Sequence, residues 1–123
     1  MSYQATIWHY PRCSKSRKTL AILRDKGLTT DVRRYLEAPP TREEIAEVLA
    51  DLQADPAALV RTSEDLFEEL EIDEDELDAD SVATLLAEYP KLMQRPVVFT
   101  ERGTLIGRPP ERVYEIMPVR QPD

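Results

Sequence analysis

The 123-residue chain has one cysteine, one histidine, no long apolar run and no surplus of positive charge. Each scarcity excludes something. A single cysteine cannot form an internal disulfide, so any disulfide must be with another molecule. That fits a reducing cytoplasm better than a secreted scaffold. The formal net charge of −8 works against nonspecific binding to nucleic acid or to an anionic membrane surface. No apolar run approaches the roughly 20 residues that span a bilayer. No basic segment followed by a long apolar run reads as a signal peptide. There is no internal repeat. The acidic run from Glu64 to Asp80 matches no metal-binding loop and reads as a solvated face.

Against this acidic background stands one basic stretch, His9-Tyr10-Pro11-Arg12-Cys13-Ser14-Lys15-Ser16-Arg17, which holds the only cysteine and the only histidine. It follows the apolar run Ala5-Thr6-Ile7-Trp8 and precedes a helical pattern, Thr19-Leu20 and Ile22-Leu23. A strand, a turn and the start of a helix meet at the thiol. The first N–H groups of a helix have no internal partner and carry partial positive charge, so an anion is stabilised there. Arg12, Lys15 and Arg17 add whole charges. A thiolate is the nucleophilic form of cysteine, and such settings bring the thiol pKa from about 8.5 to roughly 3.5–7.5. A free cysteine is often only a small buried apolar residue, but charged neighbours and a helix start argue for a reactive thiolate beside an anion pocket.

The length and the 41% hydrophobic content suit one domain with one core. We expect that domain over residues 1–117, with a loose tail over 118–123. Tyr3 to His9 reads as a first strand with Ile7 and Trp8 directed to the core, and Lys15 to Lys26 as a helix that Gly27 stops. Asp31 to Leu36 reads as a second strand, completing a parallel β-α-β unit. Pro39-Pro40 breaks the chain, and Thr41 with Glu44 forms a capping box that opens a helix with Ile45, Val48, Leu49 and Leu52 facing inward. Residues 41–93 read as a helical insertion of several short helices over one side of the sheet. Pro96 to Thr100 and Thr104 to Gly107 read as a hairpin turned by Glu101-Arg102-Gly103. A last helix starts at Glu111 after Pro109-Pro110. The order gives an α/β fold: a four-stranded mixed sheet flanked by helices, in the thioredoxin or glutaredoxin arrangement. There, a proline opening the third strand faces the thiol loop. Pro96 stands at that place, and we expect the Arg95–Pro96 bond to be cis.

Several segments together resemble one family. His9, Pro11-x-Cys13-x-x-Ser16-Arg17, Tyr35-Leu36-Glu37-x-Pro39-Pro40, Leu59-Val60-Arg61, Arg95-Pro96-Val97-Val98 and Gly107-Arg108-Pro109 resemble the glutaredoxin-coupled arsenate reductases, the ArsC family. Pro11 to Arg17 and Ile106 to Glu111 look most like its YfgD branch. The resemblance implies that Cys13 is the nucleophile toward arsenate and that Arg61, Arg95 and Arg108 surround the oxyanion. It makes His9 a residue that favours the thiolate and Ser16 a neighbour of the active-site loop. Arg17 and Pro96 support the site. Tyr10 departs from the pattern, which often has Asn there.

The resemblance further implies glutathione as reducing co-substrate, no bound cofactor and no metal. Glutaredoxin is the implied transient partner, with arsenate or a related oxyanion as substrate, a monomeric state and a cytoplasmic location. Guanidinium groups suit a tetrahedral oxyanion because they bind oxygens in pairs and offset the charge of an attacking thiolate. Two rival readings share the fold: a Spx-type regulator binding RNA polymerase, and a monothiol glutaredoxin-like oxidoreductase using Cys13-x-x-Ser16. The arginine set favours the reductase over both.

Overall fold

In the computed structural model, which describes residues 4–52 and 54–117, the chain divides into two compact units. Met1–Arg34 with Arg95–Asp123 forms the first, and Tyr35–Gln94 the second. The expected tail over 118–123 and the expected strand start at Tyr3 lie outside the described residues.

In the first unit, β1 (Gln4–His9) leads to α1 (Ser14–Asp25) and β2 (Thr29–Arg34); β3 (Val97–Thr100) and β4 (Gly103–Ile106) follow later in the chain. Among the described residues they form one mixed sheet in the order β2-β1-β3-β4. β1 runs parallel to β2 and antiparallel to β3, and β3 is antiparallel to β4. This is the expected four-stranded mixed sheet. Ala5 and Ile7 pack with Leu23, Leu28, Val98, Leu105, Val113 and Ile116. Trp8, one residue on, projects to the opposite face of the pleat. Its ring meets Phe99 edge-on at 5.1 Å, and the Arg33 guanidinium lies 5.7 Å from its centroid.

β2 begins two residues earlier than the expected Asp31. The end of α1 explains this. Gly27 adopts φ +77°, its N–H donates to the Arg24 carbonyl at 2.9 Å, and the Leu28 N–H donates to the Leu23 carbonyl at 3.1 Å. This left-handed cap reverses the chain within two residues. It places Leu28 beside Leu23 in the core, so pairing starts at once, with Gln4 opposite Thr29. Tyr35 and Leu36 fall beyond the strand. The hairpin turn is likewise shorter than expected: Thr100 pairs with Gly103, leaving only Glu101 and Arg102 in the turn. The last helix is a 3-10 helix over Pro110–Ile116, with proline in its first turn, where no N–H is needed.

In the second unit, α2 (Arg42–Asp51) opens with the expected capping box, Thr41 Oγ1 accepting from the Glu44 N–H at 3.1 Å. Ile45, Val48, Leu49 and Leu52 are buried as expected. Short helices follow: a 3-10 turn over Pro56–Leu59, α3 (Asp65–Glu69), another 3-10 turn over Glu74–Glu76, α4 (Ala79–Glu88) and a third over Pro90–Leu92. α2 packs on α4, and an Arg42–Asp80 ion pair links them. The acidic side chains from Asp65 to Asp80 are exposed, and Glu64 is half-buried. No helix among the described residues is long and apolar enough to cross a membrane.

Candidate active site

Cys13 is the N-cap residue of α1, with extended backbone at φ −92° and ψ 122°. Its N–H donates to the Tyr10 carbonyl at 3.0 Å, and its carbonyl accepts the Arg17 N–H at 3.0 Å. The loop from Tyr10 to Cys13 is therefore a tight turn fixed to the first turn of the helix. The thiol is partly exposed. Burial pushes its pKa up, but other influences outweigh that: the Ser16 N–H, a hydrogen bond from Arg95, the Lys15 N–H and the Arg95 charge. The net result is a thiol more acidic than an ordinary one. No side-chain capping bond to the sulfur meets strict geometry, so the two N–H groups act on it mainly as oriented dipoles.

Arg108 supplies a second guanidinium. Its Nη1 lies 4.0 Å from Cys13 Sγ and donates to the Arg95 carbonyl at 3.2 Å. Strand pairing brings Arg95 and Arg108 together although they are distant in sequence. Arg95 precedes β3, Arg108 follows β4, and the Gly107 N–H donates to the Pro96 carbonyl at 2.9 Å. The Arg95–Pro96 bond is cis as expected; the Arg108–Pro109 bond is also cis, which the sequence reading did not anticipate. Positive charges gathered near a sulfur favour an anion that enters there.

His9 and Ser16 form a buried pair. His9 Nδ1 stands 2.6 Å from Ser16 Oγ, which also accepts the Tyr10 N–H at 3.1 Å. The Ser16 hydroxyl therefore reaches back to β1 and the loop. Burial, together with the charges of Arg34, Arg24 and Arg17, holds the His9 pKa below its usual value. That favours the uncharged imidazole. The imidazole is joined to the thiol loop by Ser16, whose N–H is among the groups that acidify the thiol. Arg17 braces the loop, its Nη1 donating to the Pro11 carbonyl at 2.9 Å. Arg12 and Lys15 are exposed.

Arg61 belongs to the second unit. Its Nε donates to Glu64 Oε1 at 3.3 Å and its Nη1 to Gln94 Oε1 at 3.1 Å. Its N–H donates to the Leu92 carbonyl at 2.7 Å, beside the Val60–Met93 bridge. The guanidinium is thus oriented within its own unit by an ion pair and an amide.

Two residues outside the expected site set, Tyr10 and Gly107, shape the site. Tyr10 lies under Arg95, whose Cζ is 4.9 Å from the ring centroid. Gly107 packs so closely that a Cβ there would stand 2.9 Å from Pro96 Cγ and from Thr19 Oγ1, and 3.2 Å from Thr19 Cγ2. Thr19 is fully buried and anchored by its hydroxyl to the Lys15 carbonyl at 2.8 Å. An isolated glycine closing a strand pattern was the available signal, since it marks a close backbone approach.

Two predictions follow from this geometry. Neither Pro96 nor Thr19 has a flexible end to move aside, so Gly107→Ala overpacks the contact. The expected cost is about 1–3 kcal/mol, seen as a lower denaturation midpoint in urea. Adding Thr19→Ala should recover part of it, because the clashing atoms go; simple additivity in that double variant would contradict the account. For the thiol, alkylation by iodoacetamide follows the thiolate fraction, so its rate against pH should turn over below the ordinary value of about 8.5. A thiol more acidic when folded contributes stability above the unfolded thiol pKa, and loses it as pH falls through the folded midpoint. A midpoint at or above the free-thiol value would contradict the acidic thiol.

Residues 8–116 match the ArsC family. The arsenate reductase of Escherichia coli (strain K12) is 40% identical over 116 residues, covering 94% of this chain and 82% of that protein. The uncharacterized protein YfgD of the same organism is 40% identical over 118 residues, covering 95% and 99%. Among solved structures, an arsenate reductase from Vibrio cholerae superposes with a TM-score of 0.88 at 38% identity, covering 95% of this chain and all of that one.

Proposed function

The chain belongs to the ArsC family, and from that premise we propose that it is an arsenate reductase that draws its electrons from glutathione and glutaredoxin. The observation that carries the reading is the half-exposed Cys13 thiol at the start of α1, with Arg108 Nη1 4.0 Å from its sulfur and the Arg95 guanidinium over the neighbouring Tyr10 ring. A thiolate that must approach an anion needs cations already in place, because repulsion otherwise opposes the attack.

In the proposed reaction, the Cys13 thiolate forms a bond to the arsenic of arsenate, and one oxygen leaves as water after taking up protons. Arg95 and Arg108 bind the remaining oxygens, and the resemblance gives Arg61 the same task. A glutathione thiolate then displaces a second oxygen as water, leaving arsenic(V) bonded to both sulfurs. A glutaredoxin thiolate attacks the glutathione sulfur. The arsenic–sulfur bond breaks, its electron pair stays on arsenic, and arsenic(III) remains on Cys13 while a glutaredoxin–glutathione disulfide leaves. Water cleaves the last arsenic–sulfur bond, releasing arsenite and restoring the thiol. With one cysteine in the chain, the reducing thiols come from outside. The proposal includes a reducing compartment, the cytoplasm, a monomeric enzyme and glutaredoxin as a transient partner.

The test is arsenite production from arsenate by the purified protein, with glutathione and glutaredoxin supplied together and separately. Arsenite is expected only with both. Removal of glutathione from a model mixed disulfide without any arsenite would overturn the reading in favour of the monothiol oxidoreductase.

A further inference from the structure

We propose that Tyr10 is a positioning residue, whose ring holds the Arg95 guanidinium in the orientation that meets the Cys13 sulfur. Tyr10 is fixed to the site at three points. Its N–H donates to Ser16 Oγ at 3.1 Å, and its carbonyl accepts the Cys13 N–H at 3.0 Å. Its ring lies 4.9 Å from Arg95 Cζ. The backbone contacts tie the ring's origin to the thiol loop itself. Any rotation of that loop moves the sulfur and the aromatic face together, so Arg95 follows the thiol.

The physical basis is the ring quadrupole, whose negative face attracts a guanidinium and leaves the N–H edge free to donate in the plane. A guanidinium stacked in this way loses little of its hydrogen-bonding capacity. The guanidinium carbon stands over the Tyr10 ring, and a hydrogen bond and the charge of Arg95 are among the influences that make the thiol more acidic. The other charged groups around the sulfur are Arg108, with Nη1 at 4.0 Å, and Arg12, Lys15 and Arg17 on the loop and first turn of α1, all exposed. His9, behind Ser16, has its uncharged form favoured. Of these cations, Arg95 is the one whose charge and hydrogen bond make the thiol more acidic, so a change in its orientation is read directly by the thiol.

The experiment measures the pH midpoint of iodoacetamide alkylation at Cys13 in the full chain. Tyr10→Phe keeps the aromatic face and should keep the midpoint. Tyr10→Leu and Tyr10→Asn remove the face and should raise the midpoint by about half a pH unit or more. In an Arg95→Ala background the same substitutions should no longer move it, because the group they orient is gone. If Tyr10→Leu fails to fold, Tyr10→Asn carries the comparison. An unchanged midpoint in the non-aromatic variants, or an equal shift with and without Arg95, would overturn the proposal. The inference rests on the proposed function only for what the positioned arginine binds. The thiol measurement needs no arsenate, so failure of the reductase reading and failure of this one are separately visible. With arsenate turnover as a second readout, the non-aromatic variants should raise KM more than they lower kcat.

Discussion

A Cys13→Ser protein retains at most about one part in 10³ of the arsenite-forming activity. Serine matches cysteine in shape, and neither the N-cap position nor the Tyr10 turn needs sulfur, so the variant folds and loses only the stability that the ionised thiol contributes at higher pH. The loss of activity is chemical. An alcohol at a helix start stays protonated at pH 7, whereas the thiol here is already acidified by the Ser16 N–H, Arg95 and the Lys15 N–H against the cost of burial. The chain holds no second thiol to substitute. Arsenite measured at the parent rate in this variant would sink the covalent scheme. Binding of arsenate should survive, since the guanidinium groups remain, and an equilibrium measurement separates the two effects.

Arg108→Ala should lower kcat/KM for arsenate by about 10²-fold, which corresponds to roughly 2.7 kcal/mol of lost transition-state stabilisation. Arg108 is anchored by the Arg95 carbonyl at 3.2 Å with Nη1 4.0 Å from the sulfur. It sits where negative charge accumulates as the thiolate closes on an oxyanion. Arg108→Lys should recover only part of the loss, because a point charge replaces a planar fork that spans two oxygens. The alkylation midpoint distinguishes this arginine from Arg95. Removing Arg95 should raise it, since that residue donates to the thiol, while removing Arg108 should move it less. A kcat/KM for Arg108→Ala within threefold of the parent would place the oxyanion elsewhere.

The thiol loop shows how residue type and context combine. Proline at 96 and glycine at 107 are adjacent across the β3–β4 pair, joined by the Gly107 N–H to the Pro96 carbonyl. Each is followed or preceded by an arginine of the site. The close contact of Gly107 with Thr19 seats the hairpin end directly on the first turns of α1. A single methyl at 107 therefore affects stability and the placement of both arginines.

Local chemistry in the sequence determined much of this protein. The strand-turn-helix around Cys13, the capping box of Thr41 and Glu44 and the stop at Gly27 depend on residues near one another in the chain, while the strand order and the cis bond before Pro96 were read from the fold that the element order resembles. The identity of Cys13, Arg95 and Arg108 as candidates came through their resemblance to a family. The tertiary structure alone decided three things. It set the start of β2 at Thr29, because the left-handed cap brings Leu28 onto Leu23 and pairing begins from there. It made His9 a buried partner of Ser16 whose uncharged form is favoured, because burial and the charges of Arg34, Arg24 and Arg17 act on it. And it laid Tyr10 under Arg95, 85 positions away, since a cation and an aromatic face find each other only after the sheet has brought the thiol loop and the hairpin end together. Charge, desolvation and close approach depend on distance in space, which spacing along the chain does not encode.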